Sequence, residues 1–520
     1  MNCKRSGIEL CKTVVVSIII IVIIAILKYR SGEINYLNSD ATWHTLLTIE
    51  AYNETSIKDH KFLPIVTLGS DEDKYIRWGV TLPDEKGNYY YTSFSPAGFF
   101  FPWAFMKLFG LEITEKSLYI FNTVLFIISS ILWLLFIFQV YRESRHRVLI
   151  QFVALFTYAL SPEILHGMGI VYWHQSLMQV TFLLQLLAYY NMRMRDSKYA
   201  KYLFFAMTIM NPYIEWTGFI SNVGFAIAEC IWFWNKNRKL GFIKMMFIGF
   251  LTVLSLGIFV GHYLMVLEPT EFFASLKSRF LARGVTTATQ ISDIFCGYIK
   301  SFLYLWVLIF ILCVWNFIKN GKLVIRHGYL FLVLMFPLVE NIIMKQHAVG
   351  YTYDRMKGSF VLSFLICELV YGLLNYTEKS KMIINAVLVL TLTCGILNFQ
   401  SYISNESYIW ETDYRDSNIV LSEYINENYP NALLTMDGAR VRGYVNMLFQ
   451  RGIYEGITAD SAKEMAQKRQ NDFVVMLHVD ESAPGGMHNI GSATIYDLKN
   501  NMIQEIIMEN GVVYITDMNG

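Results

Sequence analysis

Asp40 is the residue of this chain best placed to do chemistry. It follows the first hydrophobic run by about a dozen residues, in the segment Asn38-Ser39-Asp40-Ala41-Thr42-Trp43-His44. A carboxylate where lipid meets water can act as a general base and take a proton from a hydroxyl group. His44 lies one helical turn later, on the same helix face. The alternative is an N-cap, and the two roles are compatible because a cap also fixes the side chain.

Tyrosines and hydroxyl residues form a second candidate group further along the same loop, in Tyr89-Tyr90-Tyr91-Thr92-Ser93-Phe94-Ser95-Pro96. Tyr91 and Ser95 could hydrogen-bond phosphate or sugar groups beside the proline turn. The alternative is an aromatic belt that anchors the loop among the lipid headgroups.

A third group is a cluster of cations in residues 345–357, at what we predict to be the outer surface. Lysine and arginine are normally scarce there, and a phosphate site explains their presence because charged donors bind phosphate oxygens strongly. The residues that we assign to phosphate or sugar binding in this segment are Lys345, His347, Tyr351, Arg355 and Lys357.

Residues 272–283 form a predicted basic amphipathic helix. Apolar residues at positions 272, 273, 276 and 280 line one face, and Arg279 and Arg283 share another. Such a helix at membrane level suits a phosphate headgroup, although plain attraction to anionic lipid gives the same pattern.

Polar residues also occur at the outer ends of hydrophobic runs, where an ionisable group within a membrane protein indicates function by default. His174 and Glu215 are the two that we assign to substrate binding. With His166, Gln175 and Glu340 they predict one polar cavity that faces outward.

We assign no metal ligand. The acidic cluster Asp71, Glu72 and Asp73, together with Asp40 and His44, would supply oxygen ligands for a hard cation. Its spacing matches no ligand pattern, so we interpret the cluster as a solvated loop. We expect no required cofactor, and the use of a divalent metal stays open.

Composition indicates a membrane protein. The chain has 520 residues, of which 54% are hydrophobic and 16% charged, against about 25% charged in soluble domains. The net charge of +1 excludes no function by itself, but the lack of a basic cluster argues against a nucleic-acid surface. The hydrophobic runs predict about eleven transmembrane helices, at 13–27, 118–140, 148–161, 170–190, 202–213, 216–234, 245–265, 296–318, 328–344, 359–374 and 383–398.

Charge predicts the orientation. With a cytoplasmic N-terminus, the inner connections and the N-terminal tail carry 19 lysines and arginines, whereas the short outer connections 162–170 and 212–217 carry none. The first span lacks a cleavage site and is predicted to be a retained signal-anchor. This register requires two spans on either side of Asn211-Pro212, where one broken helix is the alternative.

Two pieces are predicted outside the cytoplasm. The first outer loop, residues 28–117, contains an interfacial helix at 41–53 and an apolar segment at 98–108 that Pro102 breaks. The second, residues 399–520, is predicted to be a small soluble α/β domain that follows a membrane module of residues 1–398. Its expected elements are helices at 414–428, 440–449 and 462–469, strands at 433–436 and 473–479, and antiparallel strands from 493 to 516.

These features resemble the GT-C superfamily of polytopic glycosyltransferases, such as the protein O-mannosyltransferases, the lipid A aminoarabinose transferases and the O-antigen glucosyltransferases. The likeness covers the whole chain as architecture and depends, as motif, on residues 38–50, 89–110 and 340–357. Many members carry an Asp-Glu pair where this chain has Asp40-Ala41. A second carboxylate would have to come from elsewhere, with Asp71, Asp73 or Glu215 as candidates.

The resemblance implies an enzyme of the bacterial inner membrane with its C-terminal domain in the periplasm. It implies transfer of a sugar, with inversion, from a polyprenyl-phosphate donor to a lipid-linked glycan acceptor, such as an O-antigen. Asp40 would be the base and the cations would surround the phosphate. A small membrane flippase and a donor synthase would be partners.

Three alternatives stay open. A polysaccharide polymerase or ligase is also polytopic, but usually carries its large loop late in the chain. A transporter or flippase of lipid-linked sugars would show inverted repeats and charges at mid-membrane. A receptor or structural protein leaves the cations of residues 345–357 unexplained.

Overall fold

The computed structural model describes residues 2–32, 40–69, 80–169, 171–375, 380–404, 412–437, 443–480, 489–509 and 512–518. By internal packing the chain divides into two compact units. Unit 1 comprises Met1–Glu33, Tyr119–Val260 and Phe280–Asn405, and unit 2 comprises Ile34–Leu118, Gly261–Arg279 and Glu406–Gly520. The boundary at residues 398 and 399 between a membrane module and a soluble domain stays a prediction.

Helices dominate the chain as far as residue 403. Its first elements are α1 (Asn2–Gly32), α2 (Asp40–Glu54), β1 (Thr81–Pro83), β2 (Tyr89–Tyr91), α3 (Ala97–Phe109), α4 (Glu115–Val140), α5 (Arg147–Ala159), α6 (Pro162–Gly167), α7 (His174–Arg195), α8 (Lys198–Ile214), α9 (Thr217–Trp234) and α10 (Arg238–Tyr263). There follow α11 (Pro269–Phe280), a π-helical turn (Leu281–Val285), α12 (Ile291–Ser301), α13 (Leu303–Asn320), α14 (Gly328–Ile343), α15 (Lys345–Gly350), a 3-10 turn (Thr352–Arg355), α16 (Gly358–Asn375) and α17 (Ser380–Ile403).

The remaining elements mix helices and strands. They are α18 (Thr412–Asn428), β3 (Leu433–Asp437), α19 (Gly443–Phe449), β4 (Tyr454–Glu455), α20 (Ala459–Lys468), β5 (Phe473–Asp480), β6 (Asn489–Asp497), β7 (Met502–Glu509) and β8 (Val512–Asp517).

Among the described residues, five helical stretches are long and apolar enough to cross a membrane. They are Glu115–Val140, Arg238–Tyr263, Leu303–Asn320, Thr352–Leu374 and Lys381–Ile403. Shorter apolar helices cover Thr13–Tyr29, Ala97–Phe109, Arg147–Ala159 and Gly328–Ile343. The predicted fold class, a polytopic helical membrane protein, is confirmed. One predicted span, 296–318, is not a single helix, because α12 ends and α13 begins on either side of Phe302.

Two helices, α8 and α9, form where two spans were predicted, and Pro212 lies within α8. Glu215 is extended, with φ −157° and ψ 149°, and separates α8 from α9. The turn is tight: a Cβ on Gly218 would lie 2.3 Å from the carbonyl carbon of Asn211. Only glycine fits here without moving the backbone.

In unit 2, α2 is more buried than an interfacial helix with one apolar face would be. Every residue from Ala41 to Ile49 is buried, and α19 packs on this helix, with the rings of Trp43 and Tyr444 4.7 Å apart. The predicted break at Pro102 is wrong, because α3 continues through it. The helix has 13 residues, too few to span a bilayer, which needs about 20.

The C-terminal elements of unit 2 form one mixed sheet in the order β4-β3-β5-β6-β7-β8. β3 is parallel to β4 and β5, whereas β5 to β8 are antiparallel neighbours. Leu433 and Val474 on adjacent strands pack with Ala462 and Ala466 of α20 in a common core. At the sheet edge, Val512 and Tyr514 of β8 are about half exposed. The predicted C-terminal α/β domain is confirmed.

Candidate active site

Asp40 is the first residue of α2 and is half-buried. Its carboxylate lies in the first turn of the helix, where the positive end of the helix dipole favours a negative charge. His44, one turn later, is buried, and its ring meets the ring of Tyr91 edge-on at 4.3 Å. Unit 2 therefore brings together two of the predicted residues, His44 and Tyr91.

The segment that carries Tyr91 and Ser95 is fixed by its backbone. The hydroxyl of Tyr263 donates to the carbonyl oxygens of Tyr91 at 2.7 Å and Phe94 at 2.6 Å. Ser95 is buried, just ahead of α3. The single O–H of Tyr263 is shared between the two carbonyl oxygens and ties this turn to the end of α10.

Tyr90 points to another polar group of unit 2. Its hydroxyl lies 2.9 Å from Nδ1 of His60 and donates to Oδ2 of Asp84 at 3.2 Å. Burial, with the Asp84 charge, raises the pKa of the Tyr90 phenol well above its usual value. Tyr90 is thus a neutral structural donor, and Tyr91 is the tyrosine that faces His44.

Unit 1 holds three of the four candidate cations of residues 345–357 in buried ion pairs. Lys357 pairs with Glu340, His347 with Asp354, and Arg355 with Glu163. All six side chains are almost completely buried. The sequence predicted these cations for phosphate binding; the structure shows that each already has a carboxylate partner.

Lys357 and Glu340 meet at Thr217, the first residue of α9. The Thr217 hydroxyl donates to Oε2 of Glu340 at 2.6 Å, and Nζ of Lys357 donates to that hydroxyl at 3.2 Å. Glu215, in the connection before α9, accepts from the Thr217 backbone N–H at 2.7 Å. Burial, with the Glu340 charge nearby, raises the pKa of Glu215 to about 8 against the opposing effect of Lys357.

His347 and Gln175 hold the two oxygens of Asp354. Nδ1 of His347 lies 3.1 Å from Oδ2, and Nε2 of Gln175 donates to Oδ1 at 2.5 Å. Gln175 belongs to the first turn of α7, so this contact joins α7 to the 3-10 turn before α16.

Arg355 is anchored more firmly than its neighbours. Its Nε donates to Oε1 of Glu163 at 2.8 Å and to the Ser301 hydroxyl at 3.0 Å. Nη1 donates to the Ala348 carbonyl at 2.8 Å. The guanidinium thus joins α6, α12 and α15, which are far apart in the chain.

A small cavity of about 20 Å³ lies beside Asp354 and Lys357. This volume holds about one water molecule. The side-chain oxygens of Gln175 and Gln179 are buried without a hydrogen-bond partner among the described residues. The lining residues are Gln175, Met178, Gln179, Phe182, Thr217, Pro337, Tyr353, Asp354, Lys357 and Phe360.

The other predicted residues lie in both units. In unit 1, His174 is fully buried at the start of α7, Arg283 is buried in the π-helical turn, and Tyr351 and Lys345 are half-buried. Arg279, in the last turn of α11, is half-buried in unit 2.

Sequence reasoning missed Glu163 and Asp354 and left Gln175 and Thr217 without roles. Glu163 had a usable signal, because it lies in Ser161-Pro162-Glu163 between two apolar runs. A carboxylate in that setting indicates a buried partner or a function. Asp354 lies within residues 345–357, and an acid so close in sequence to the cations indicates that it could pair with one of them.

Within the described residues, no group of three histidine, cysteine or acidic side chains could hold a metal ion. The predicted second carboxylates Asp71 and Asp73 lie outside those residues, as does Glu72. Glu215, the third candidate, belongs to unit 1 and hydrogen-bonds Thr217.

The architecture agrees with the polytopic helical fold expected from the sequence. No protein-family model matches the chain, and no curated protein sequence matches it. Solved structures do match. ArnT from Cupriavidus metallidurans bound to undecaprenyl phosphate has a TM-score of 0.57 and 8% identity, over 97% of both chains.

The Archaeoglobus fulgidus oligosaccharyltransferase has the same fold. In the apo form it matches with a TM-score of 0.55 and 12% identity, over 90% of this chain and 69% of that one. The archaeal enzyme AglB in complex with an inhibitory peptide and a dolichol-phosphate gives 0.54 and 12%, with the same coverage. At these identities the likeness establishes the fold.

Proposed function

We propose that the protein is a membrane glycosyltransferase that takes a sugar from a polyprenyl-phosphate donor. The observation that carries this proposal is the whole-length likeness to ArnT bound to undecaprenyl phosphate, which covers 97% of this chain. AglB, with a dolichol-phosphate, shares the fold. Both of those proteins were solved with a phosphate carried by a long lipid chain.

The chemistry needs little from the protein beyond a base and positive charge. A polyprenyl phosphate is a competent leaving group, so catalysis consists of removing a proton from the acceptor and stabilising the charge that develops on the phosphate. Asp40 is proposed as the base. A single displacement by the acceptor hydroxyl would invert the anomeric centre.

The ion pairs of unit 1 change the expected role of its cations. Lys357, His347 and Arg355 each face a carboxylate, so their positive charge is largely balanced before any substrate arrives. We propose that these three residues hold the polar groups of unit 1 in place and do not bind the phosphate themselves. Lys345, Arg279 and Arg283 stay proposed phosphate ligands.

The acceptor is proposed to be a lipid-linked glycan such as an O-antigen, on the periplasmic side of a bacterial inner membrane. The N-terminus would be cytoplasmic and the C-terminal domain periplasmic. A flippase and a donor synthase would then supply the donor, because a sugar phosphate lipid made inside has to cross the bilayer first.

The test is sugar transfer by the purified full-length protein in detergent. A panel of short-chain polyprenyl-phosphate sugars is offered to wild type, Asp40→Asn and the control Asp59→Asn, each with and without EDTA. Asp59 is an exposed carboxylate of the same unit. The Asn variants change charge without changing size, so they separate the role of Asp40 from a general effect of lost charge.

We expect donor turnover in wild type and Asp59→Asn, and a loss of at least about a hundredfold in Asp40→Asn, the range for a positioned base. The unfolding temperature of Asp40→Asn is measured as well, and a value equal to that of wild type shows that the loss of turnover does not come from unfolding. Turnover that survives in Asp40→Asn contradicts the mechanism. Donors that all stay intact with folded wild type contradict the function.

A further inference from the structure

Lys28 is a buried cation without an acid. It lies near the end of α1 with 1% of its surface exposed. Its Nζ donates to the carbonyl oxygen of Met168 at 2.7 Å and lies 4.2 Å from the ring centre of Phe126. Within the part of the chain that the structure describes, no carboxylate pairs with it.

The three ion-paired cations of unit 1 differ in this respect. Lys357, Arg355 and His347 are as deeply buried, and each has a carboxylate partner. A buried charge without a counter-charge is costly. In a membrane protein such a residue is retained for function more often than for stability.

Lys28 is connected to the ion pairs through the segment that contains α6. It holds the carbonyl of Met168. The neighbouring Gly167 packs so closely on Met356 that a Cβ there would lie 2.5 Å from the sulfur. Met356 stands between Arg355 and Lys357 in the chain, so the segment whose carbonyl Lys28 binds packs against the segment that carries the ion pairs.

The backbone of this segment is fixed independently of Lys28. Nδ2 of Asn122 lies within hydrogen-bond distance of the carbonyl oxygens of Gly167, Gly169 and Val171, at 3.3, 2.8 and 3.0 Å. The Lys28 ammonium has three N–H groups and one acceptor among the described residues, Met168. Lys28 therefore has N–H groups without an acceptor among the described residues, and Asn122 holds the same segment by contacts of its own.

We propose that Lys28 binds the phosphate of the lipid-linked donor, an inference that rests on the proposed function. A phosphate supplies the negative charge and the acceptor oxygens that Lys28 lacks. The flexible lysine stem lets the ammonium exchange the Met168 carbonyl for a ligand. In this proposal Lys28 binds the phosphate, whereas the ion-paired cations Lys357, Arg355 and His347 position the polar groups of unit 1.

The experiment measures equilibrium binding of a radiolabelled short-chain polyprenyl monophosphate to the full-length protein in neutral detergent. The variants are Lys28→Met, Lys28→Gln and Lys28→Arg. Lys300→Met, at an exposed lysine of α12, is the matched control. Inorganic phosphate and phosphatidylglycerol compete in separate arms, and the unfolding temperature of each variant is recorded without ligand.

We expect Kd to rise at least tenfold in Lys28→Met and Lys28→Gln, and to change less than threefold in Lys28→Arg and Lys300→Met. Without ligand, Lys28→Met should unfold at or above the wild-type temperature, because the substitution removes an unbalanced buried charge. If Lys28 had a purely structural role, Lys28→Met would instead unfold at a lower temperature than wild type. If Lys28→Met does not fold, Lys28→Gln provides the same comparison.

Three outcomes overturn the inference. Kd unchanged in both neutral variants shows that the phosphate lies elsewhere, while Asp40→Asn still tests the function separately. Equal competition by inorganic phosphate or phosphatidylglycerol at matched concentrations shows a general anion site instead of a donor site. Absence of polyprenyl phosphate binding by wild type overturns the inference and counts against the proposed function as well.

Discussion

Nε of Arg355 lies 2.8 Å from Oε1 of Glu163, a residue 192 positions earlier in the chain. Both side chains are almost fully buried. The pair joins α6 to the turn before α16, and it shows that one of the positive charges near residue 350 is balanced by an acid far away in the sequence.

Removing one member of this pair should be strongly destabilising. Arg355→Met leaves the Glu163 carboxylate buried without a partner, at a cost of about 3 to 5 kcal/mol. The double variant Glu163→Leu with Arg355→Met should lose less than Arg355→Met alone, because no charge is then left unpaired. Chemical denaturation in detergent of wild type, the two single variants and the double variant measures the coupling energy. Additive losses of stability would show that the two residues act independently.

A substitution at Gly218 tests the turn around Pro212. A Cβ there would meet the Asn211 backbone at 2.3 Å, so Gly218→Ala should lower stability by about 1 to 3 kcal/mol, as overpacking does. Gly249→Ala is the control on α10, where a Cβ meets nothing within 4 Å. It should raise stability by about 0.5 to 1 kcal/mol. Equal effects at the two positions would contradict the close approach.

Glu215 should make stability depend on pH. Its folded pKa of about 8 exceeds the ordinary value of 4.5, so on raising the pH the unfolded chain releases this proton first. The contribution to stability is therefore present below about pH 4.5 and is lost as pH rises toward about 8. Glu215→Gln cannot ionise and should flatten the profile of unfolding temperature in that window. The exposed Glu112→Gln should leave it unchanged; parallel profiles for wild type and Glu215→Gln would refute the prediction.

His44 offers a test of binding separate from packing. His44→Phe keeps the ring that meets Tyr91 and Phe99 but removes its N–H groups. We expect a folded protein whose KM for the acceptor rises about tenfold, because one hydrogen bond to a polar ligand is lost. Kinetics with wild type and the variant at saturating donor measure it, and an unchanged KM would reduce His44 to a packing residue.

The sequence predicted features that depend on local pattern. The helix predicted at 41–53 and the strand predicted at 473–479 follow from short-range periodicity, and both form with bounds that differ by one residue. The break expected at Pro102 is wrong, because α3 runs through this proline at its sixth position. An interior proline removes one backbone hydrogen bond, and the sequence alone did not show that the helix would continue despite that loss.

The contacts of the candidate site could not be predicted in the same way. Arg355 with Glu163, Lys357 with Glu340, and Gln175 with Asp354 join positions that the sequence separates by many residues. Periodicity predicts which residues are buried, but a single sequence does not predict which buried acid pairs with which buried cation. The excess of cations in residues 345–357 was visible in the sequence, but which acids pair with them was not.

The outermost strand of the C-terminal sheet has a consequence for anyone who isolates that part of the chain. β4 at one edge has two residues, whereas β8 at the other has six and leaves Val512, Tyr514 and Ile515 about half exposed. A long apolar edge recruits strands from other chains. Fragments that start near Thr412 should therefore tend to aggregate through β8, and a charged gatekeeper such as Ile515→Lys is the first substitution to try for solubility.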